Sequence, residues 1–123
     1  MITGAVMGNL DPIVQLLVRD VQGTEKPVDF VVDTGFNGYL ALPQRRIDDL
    51  GLLVSGSDNV LLADGSIAAS LLYDAVVLWD GQERTVNVIE LAGDPLIGTS
   101  LLFDHDVTIW FINGGQVIIA RTP

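Results

Sequence analysis

Short runs of valine, isoleucine and leucine, each ended by turn residues, set the strongest limit on how this chain of 123 residues folds. Thirteen glycines separate the runs and leave few stretches long enough for an ordinary helix. Within Pro12–Val21, Val14, Leu16 and Val18 occupy alternate positions, which is the two-residue period of a strand. The pattern predicts an all-β protein.

The other predicted strands follow the same logic: Ile2–Asn9, Pro27–Val32, Tyr39–Pro43, Asn59–Ser70 as two strands, Leu72–Trp79, Arg84–Leu91, Val107–Ile112 and Gln116–Ala120. The Asp64-Gly65 pair inside Ala63–Ser66 is a strong hairpin signal. Ser55–Asn59 is interpreted as a loop. A helical turn is expected at Gln44–Leu50, closed by Gly51, and a short helix at Thr99–Asp104.

Composition limits the classes of function. At 49% hydrophobic, the chain suits a single domain over residues 1–123. Its net charge of −10 argues against a nucleic-acid partner. The absence of cysteine excludes disulfides and thiol catalysis. No stretch approaches the roughly 18 apolar residues of a membrane span, so we expect a cytoplasmic protein without a membrane partner.

Two motifs carry the candidate chemistry. Val31-Val32-Asp33-Thr34-Gly35 places a carboxylate on a tight loop at the end of a predicted strand. Alone, an Asp-Thr-Gly tripeptide is most simply a turn. The segment Pro95–Leu102 adds a second motif, in which two apolar residues and a glycine, Leu96-Ile97-Gly98, precede a short helix.

The two motifs in this order resemble the retropepsin-like aspartic proteases, especially small bacterial predicted aspartyl proteases with a single such motif. The resemblance covers about residues 27–102 and implies an all-β closed barrel with one short helix near the C-terminal end. It implies that Asp33 is the catalytic residue and that no cofactor or metal is needed. Leu96, Ile97 and Gly98 would form a buried strand supporting the Asp33 loop.

The resemblance also implies roles for the residues around the cleft. Thr34 would hydrogen-bond across a two-fold axis, and Gly35 lets the backbone present an N–H group to the carboxylate. Residues in substrate contact would be those after the motif and those at the tip of a mobile flap: Phe36, Asn37, Ala63, Asp64 and Gly65.

Peptide hydrolysis by carboxylates requires two of them, one neutral and one ionised. Because this chain has one Asp-Thr-Gly, a protease must be a symmetric homodimer acting on a peptide or protein substrate. The family would join such a dimer through Ile2–Val6 and Val117–Ala120. An intramolecular pair of these two strands, sealing one barrel, is the equal alternative.

Two features depart from the retroviral pattern. There a small residue and then an acid follow the motif, and an arginine follows the second glycine. Here Phe36, Asn37 and Thr99 stand in these places. Because the acid and the arginine are both replaced, no unpaired charge is left behind. Phe36 is bulky and is expected to narrow the cleft or fill part of a side-chain pocket.

Several signals remain outside this interpretation. His105, the single histidine, is predicted to be a surface residue, since too few ligands accompany it for zinc. Trp79 and Trp110 are predicted to be core or interface aromatics. Two other functions stay open: a non-catalytic peptide-binding or dimerisation module with Asp33 capping its loop, and a structural β domain that serves as a scaffold.

Overall fold

The computed structural model of this chain describes residues 1–61 and 63–123. It contains ten strands and two short helices among these residues. The strands are β1 (Ile2–Met7), β2 (Asp11–Arg19), β3 (Glu25–Val32), β4 (Leu40–Leu42), β5 (Leu53–Leu61), β6 (Ile67–Trp79), β7 (Gln82–Glu90), β8 (Leu96–Ile97), β9 (His105–Ile109) and β10 (Gln116–Arg121). The helices are α1 (Gln44–Leu50) and α2 (Thr99–Leu102). The all-β class predicted from the short apolar runs is confirmed.

The strands form one sheet in the order β5-β6-β7-β4-β8-β3-β2-β1-β10-β9. Most neighbours are antiparallel, but β3 runs parallel to β8, and β4 runs parallel to β7. A further pairing of β2 with β6, at Val18 and Val77, brings two distant parts of this order together. The sheet therefore folds back on itself.

One apolar core fills the space enclosed by the sheet. Alternate residues of β2 are buried, with Val14 and Val18 fully covered, which confirms the two-residue period read from the sequence. Phe30 and Leu40 are also fully buried. No buried polar or charged residue occurs in the described part of the chain, so hydrophobic burial provides most of the stabilisation of this fold.

The first and last strands pair with each other inside one chain. Ile2 lies opposite Ile119, and Ala5 lies opposite Gln116, in an antiparallel ladder. The other edge of β1 is occupied by β2, and the other edge of β10 by β9. Of the two alternatives considered for the terminal strands, the intramolecular pair is the one present.

One sequence-based prediction of secondary structure is wrong. Ser55–Asn59 is part of β5, where it pairs with β6, and a register shift occurs between Val54 and Gly56. The ladder with a long partner strand outweighs the weak strand propensity of serine, glycine and aspartate. The helical turn expected at Gln44–Leu50 is confirmed as α1, which ends at Gly51 in the left-handed conformation, so the fold has a second short helix besides the one expected near the C-terminal end.

The hairpin of β5 and β6 extends beyond the rest of the sheet. The pairing of β6 with β7 begins at Leu72, whereas residues 67–70 of β6 pair only with β5. Leu61 and Ile67 are exposed near its tip. Leu62, which falls in this predicted hairpin, lies outside the described residues. None of the helices in the described ranges has the length and apolar character needed to cross a membrane.

Candidate active site

Asp33 follows β3 directly and sits on a loop fixed by its neighbour β8. The parallel register pairs Val31 with Leu96 and Val32 with Ile97. The Asp33 N–H donates to the Ile97 carbonyl at 2.9 Å, which continues the ladder by one residue. The structure therefore places Leu96 and Ile97 beside the Asp33 loop, and Ile97 is fully buried there.

The Asp33 carboxylate is half-buried and accepts a hydrogen bond within its own loop. The Gly35 N–H donates to Asp33 Oδ1 at 2.8 Å, and the Phe36 N–H donates to the Asp33 carbonyl at 3.2 Å. A Cβ at position 35 would lie 3.2 Å from the same carboxylate oxygen. Glycine at this place thus permits close approach, while Thr34 beside it is exposed.

Gly98 is required by the close contact between two loops. A Cβ on Gly98 would lie 2.1 Å from the Gly38 carbonyl oxygen and 2.7 Å from the Phe36 ring. The same ring would lie 2.5 Å from a Cβ on Gly38. Phe36 therefore packs across two glycines with its ring half-buried, which gives it a supporting role in the loop besides any contact with a ligand.

The start of α2 holds the residues after the motif. The N–H groups of Thr99 and Ser100 donate to the carbonyls of Phe36 and Gly38, at 2.8 and 3.1 Å. The Ser100 hydroxyl donates to the Asn37 carbonyl at 2.6 Å. These neutral hydrogen bonds join the two motifs at the place where retroviral enzymes use an acid and an arginine. Sequence reasoning missed Ser100; its signal was a hydroxyl directly after the residue that replaces the arginine.

The hairpin tip with Ala63, Asp64 and Gly65 is built separately from the Asp33 loop. Asp64 Oδ1 accepts hydrogen bonds from the Ser66 hydroxyl at 2.6 Å and the Ser66 N–H at 2.9 Å. These bonds, the hydroxyl first, lower the pKa of Asp64. Gly65 adopts φ +85°, which suits the turn. Among the described residues, no hydrogen bond joins this tip to the Asp33 loop.

A shallow depression of about 480 Å³ lies outside the loop, lined by Tyr39, Arg84, Thr99, Ser100 and Phe103. Asp33 does not line it. A cleft over Asp33 must therefore be formed by groups other than those around this depression.

His105, predicted to be a surface residue, is half-buried. Its Nε2 accepts a hydrogen bond from Trp79 Nε1 at 3.1 Å, and its Nδ1 lies 2.8 Å from the Phe103 carbonyl. The two rings are nearly perpendicular, with centroids 5.4 Å apart. Both ring nitrogens are used inside the protein. Trp79 is a core residue as predicted, whereas Trp110 is 54% exposed and is not part of the core.

The sheet order and the two motifs held together at one loop define a retropepsin-like fold. Two solved structures share it. The chain is similar to a retropepsin-like aspartic protease from Rickettsia conorii, with a TM-score of 0.60, 20% identity, and coverage of 98% of this chain and 91% of that chain. It is also similar to EIAV protease complexed with the inhibitor HBY-793, with a TM-score of 0.55, 16% identity, and coverage of 80% and 93%.

No protein-family model matches the sequence, and no curated protein matches it. At identities of 16 to 20%, the two structural similarities establish the fold.

Proposed function

We propose that this protein is an aspartic endopeptidase that hydrolyses peptide bonds with two Asp33 carboxylates, one from each chain of a homodimer. The observation that carries the proposal is the Asp33 loop itself. Asp33 is half-buried, its carboxylate accepts a hydrogen bond from the Gly35 N–H at 2.8 Å, and its own N–H donates to the Ile97 carbonyl of the second motif at 2.9 Å. A fixed carboxylate at a strand end is what this chemistry requires.

The proposed mechanism follows from bringing two such carboxylates together. Close carboxylates do not both ionise at low cost, so the pair retains one proton. The ionised member takes a proton from a water molecule as the water oxygen adds to the peptide carbonyl carbon, and the neutral member donates its proton to the carbonyl oxygen. When the resulting tetrahedral intermediate collapses, the C–N bond breaks and the proton taken from water passes to the leaving amine. Thr34 is exposed on the single chain, and in the proposed dimer it would hydrogen-bond the partner's loop.

The protruding β5–β6 hairpin is evidence that the substrate is a peptide. It extends beyond the sheet as two strands, and Leu61 and Ile67 near its tip are 72% and 68% exposed. Large apolar side chains in that position suit a flap that covers an extended peptide, with Ala63, Asp64 and Gly65 forming the turn. In the proposed dimer, Phe36 and Asn37 would lie at the base of the cleft that this flap covers.

The test is cleavage of a diverse peptide mixture across roughly pH 4 to 8, with Asp33→Asn as the matched variant that preserves the shape of the side chain. We expect the parent chain to cut peptides with a bell-shaped dependence on pH that leans to the acid side, because the pair functions with one proton. We expect Asp33→Asn to lose at least about 1,000-fold in kcat/KM.

Two results would contradict the proposal. Equal cleavage by the parent and by Asp33→Asn would show that Asp33 is not the catalytic residue. No cleavage by a folded parent dimer would favour the other candidate, a peptide-binding module in which Asp33 caps its own loop. The bond from Gly35 to Asp33 is the observation that favours this second function, since a capped loop needs no chemistry.

A further inference from the structure

The strand β9 is the last in the sheet order, and only β10 pairs with it in the part of the chain that the structure describes. The Trp110 N–H donates to the Gln116 carbonyl at 2.9 Å, and the Thr122 N–H donates to the Asp104 carbonyl at 2.8 Å. In an antiparallel pair, residues facing the partner strand alternate with residues facing away. The backbone groups of Val107 therefore point away from β10, toward the open edge.

The same parity applies along the whole strand. His105, Val107 and Ile109 present backbone N–H and C=O groups at the open edge, while Asp106 and Thr108 bond to β10. An unpaired edge of this kind is a template for another strand. β9 contains no proline and no bulge that would block such pairing.

A run of exposed apolar side chains continues directly from this strand. Trp110, Phe111 and Ile112 are 54, 60 and 63% exposed. Three large apolar residues in a row at the surface are unusual in a monomeric protein, and exposed aromatic residues are enriched at interfaces. Phe111 and its neighbours therefore extend the open edge into an apolar surface, which we call the β9 edge surface (residues 105–112).

We propose that the β9 edge surface is where a second copy of this chain binds, with the two β9 strands antiparallel about a two-fold axis. The proposal rests on the proposed function, which needs a second Asp33. The terminal strands are not available for this role, because both edges of β1 and of β10 are already occupied within the chain.

The β9 edge follows closely after α2, the helix that is hydrogen-bonded to the Asp33 loop. Thr99 and Ser100 at the start of α2 donate to the loop carbonyls, and only Phe103 and Asp104 separate α2 from β9. A contact made at this edge is thus linked to the position of the carboxylate through a short, hydrogen-bonded path.

The sequence of β9 favours one register. A two-fold axis at Val107 places each Asp106 opposite the partner's Thr108, and each His105 opposite the partner's Ile109. This register also pairs the outward-facing backbone N–H and C=O groups of His105, Val107 and Ile109 with those of the partner. An axis at Asp106 would instead oppose two carboxylates, which destabilises a strand pair.

Position 108 provides a test by charge. Thr108 is exposed, and the backbone bond it makes to β10 does not depend on its side chain. Thr108→Asp would place a carboxylate opposite the partner's Asp106 on both sides of the axis, and Thr108→Lys would place an ammonium group there. Thr108→Asn is the neutral control. Sedimentation velocity of the full chain over a range of concentrations gives the dimer dissociation constant of each variant.

We expect Thr108→Asp to raise the dissociation constant about 2- to 30-fold, since two like-charged pairs are created. We expect Thr108→Lys to lower it, and Thr108→Asn to leave it within about two-fold of the parent. Melting curves confirm that each variant is folded. The proposal is overturned if the dissociation constants of the Asp and Lys variants change in the same direction, or if neither changes.

Val107 provides a second test that depends on the backbone. Val107→Pro removes an N–H that points to the open edge and is not used by β10, so the strand tolerates it. Val107→Ala shortens the same side chain but retains the N–H. We expect the proline variant to be monomeric at concentrations at which the alanine variant is dimeric. Equal dimerisation of the two folded variants contradicts edge pairing.

The outcomes separate this proposal from the proposed function. If the dissociation constant does not respond to the changes at 107 and 108 but the dimer cleaves peptides through Asp33, the β9 contact is overturned and the proposed protease function is retained. A dimer that responds as expected but cuts nothing supports the contact and overturns the protease. A parent chain that is monomeric at every concentration overturns both the contact and the shared dyad.

Discussion

At the scale of single residues, the site depends on glycines that permit close approach. Gly35 brings an N–H to the Asp33 carboxylate, and Gly98 lets the second motif lie against Gly38 and Phe36. These are steric requirements, because a Cβ at position 98 would overlap a carbonyl oxygen. The bulky Phe36, which looked unfavourable beside a catalytic carboxylate, is accommodated by the two glycines that its ring covers.

Gly35→Ala tests how much the position of the carboxylate matters. Its Cβ would lie 3.2 Å from Asp33 Oδ1, tight enough to displace the carboxylate by a few tenths of an ångström. We expect kcat/KM for peptide cleavage to fall about 10- to 100-fold. The free energy of unfolding should change by less than about 1 kcal/mol, because this glycine does not require positive φ.

Gly56→Ala is the matched control, since a Cβ there meets no atom within 4 Å. Urea denaturation and cleavage kinetics measured on both variants separate a local effect on the site from a general loss of stability. Unchanged activity in Gly35→Ala would show that the carboxylate has more freedom than this loop geometry implies.

At the scale of elements, hairpins and short helices position the site through local hydrogen bonds. The turn between β2 and β3 is an example, because Asp20 Oδ1 accepts from the N–H groups of Gln22 and Thr24, each at 2.9 Å. Lys26 Nζ lies 3.4 Å from the other oxygen. The Thr24 N–H is the largest cause of a lowered pKa at Asp20. Because β3 delivers Asp33, this turn supports the site from a distance.

The lowered pKa of Asp20 predicts a dependence of stability on pH. A carboxyl whose pKa is lower in the folded chain contributes stability above its unfolded value of about 3.9 and loses it as pH falls through the folded value. We therefore expect Asp20→Asn to melt below the parent at pH 6, and the difference in Tm to shrink toward pH 2.5. Thermal melts followed by circular dichroism measure this difference.

Asp29→Asn is a suitable control for Asp20→Asn. Asp29 is an exposed carboxylate on β3 whose recorded side-chain bond is to Gln15, at 3.2 Å. Its replacement should leave the difference in Tm small at each pH. A constant difference in Tm for Asp20→Asn from pH 6 to 2.5 would show that the amide harms the turn for reasons other than charge.

At the scale of the whole molecule, the proposed dyad makes activity a property of two chains. One chain supplies one Asp33. A chain paired with an inactive copy therefore remains folded but cannot cleave peptides. Activity should therefore rise more steeply than protein concentration near the dimer dissociation constant. This behaviour distinguishes a shared site from a site complete within one chain.

Mixing the parent with Asp33→Asn tests the shared site directly. With a three-fold excess of the variant and random exchange, roughly a quarter of the parent chains have a parent partner. We expect cleavage by a fixed amount of parent to fall to about that fraction. An excess of the Asp33→Asn, Thr108→Asp double variant should inhibit less, because its contact with the parent is weakened. Activity unaffected by added Asp33→Asn would exclude a shared dyad.

The sequence by itself determined the local features. Alternation in β2 predicted its buried face, Asp64-Gly65 marked a hairpin, and two glycine-containing motifs marked the loop around Asp33. Each of these depends on side-chain period or backbone conformation over a few residues, which the order of amino acids specifies directly.

Only the tertiary structure decided which strands become partners and which edge stays open. Strand Leu53–Leu61 extends through serine, glycine and aspartate because β6 pairs with it, and Trp110 is exposed although it lies in an apolar run. The terminal strands had two possible partners, one inside the chain and one in another copy. That choice is a competition for backbone hydrogen bonds between segments more than a hundred residues apart, and no local pattern records its result.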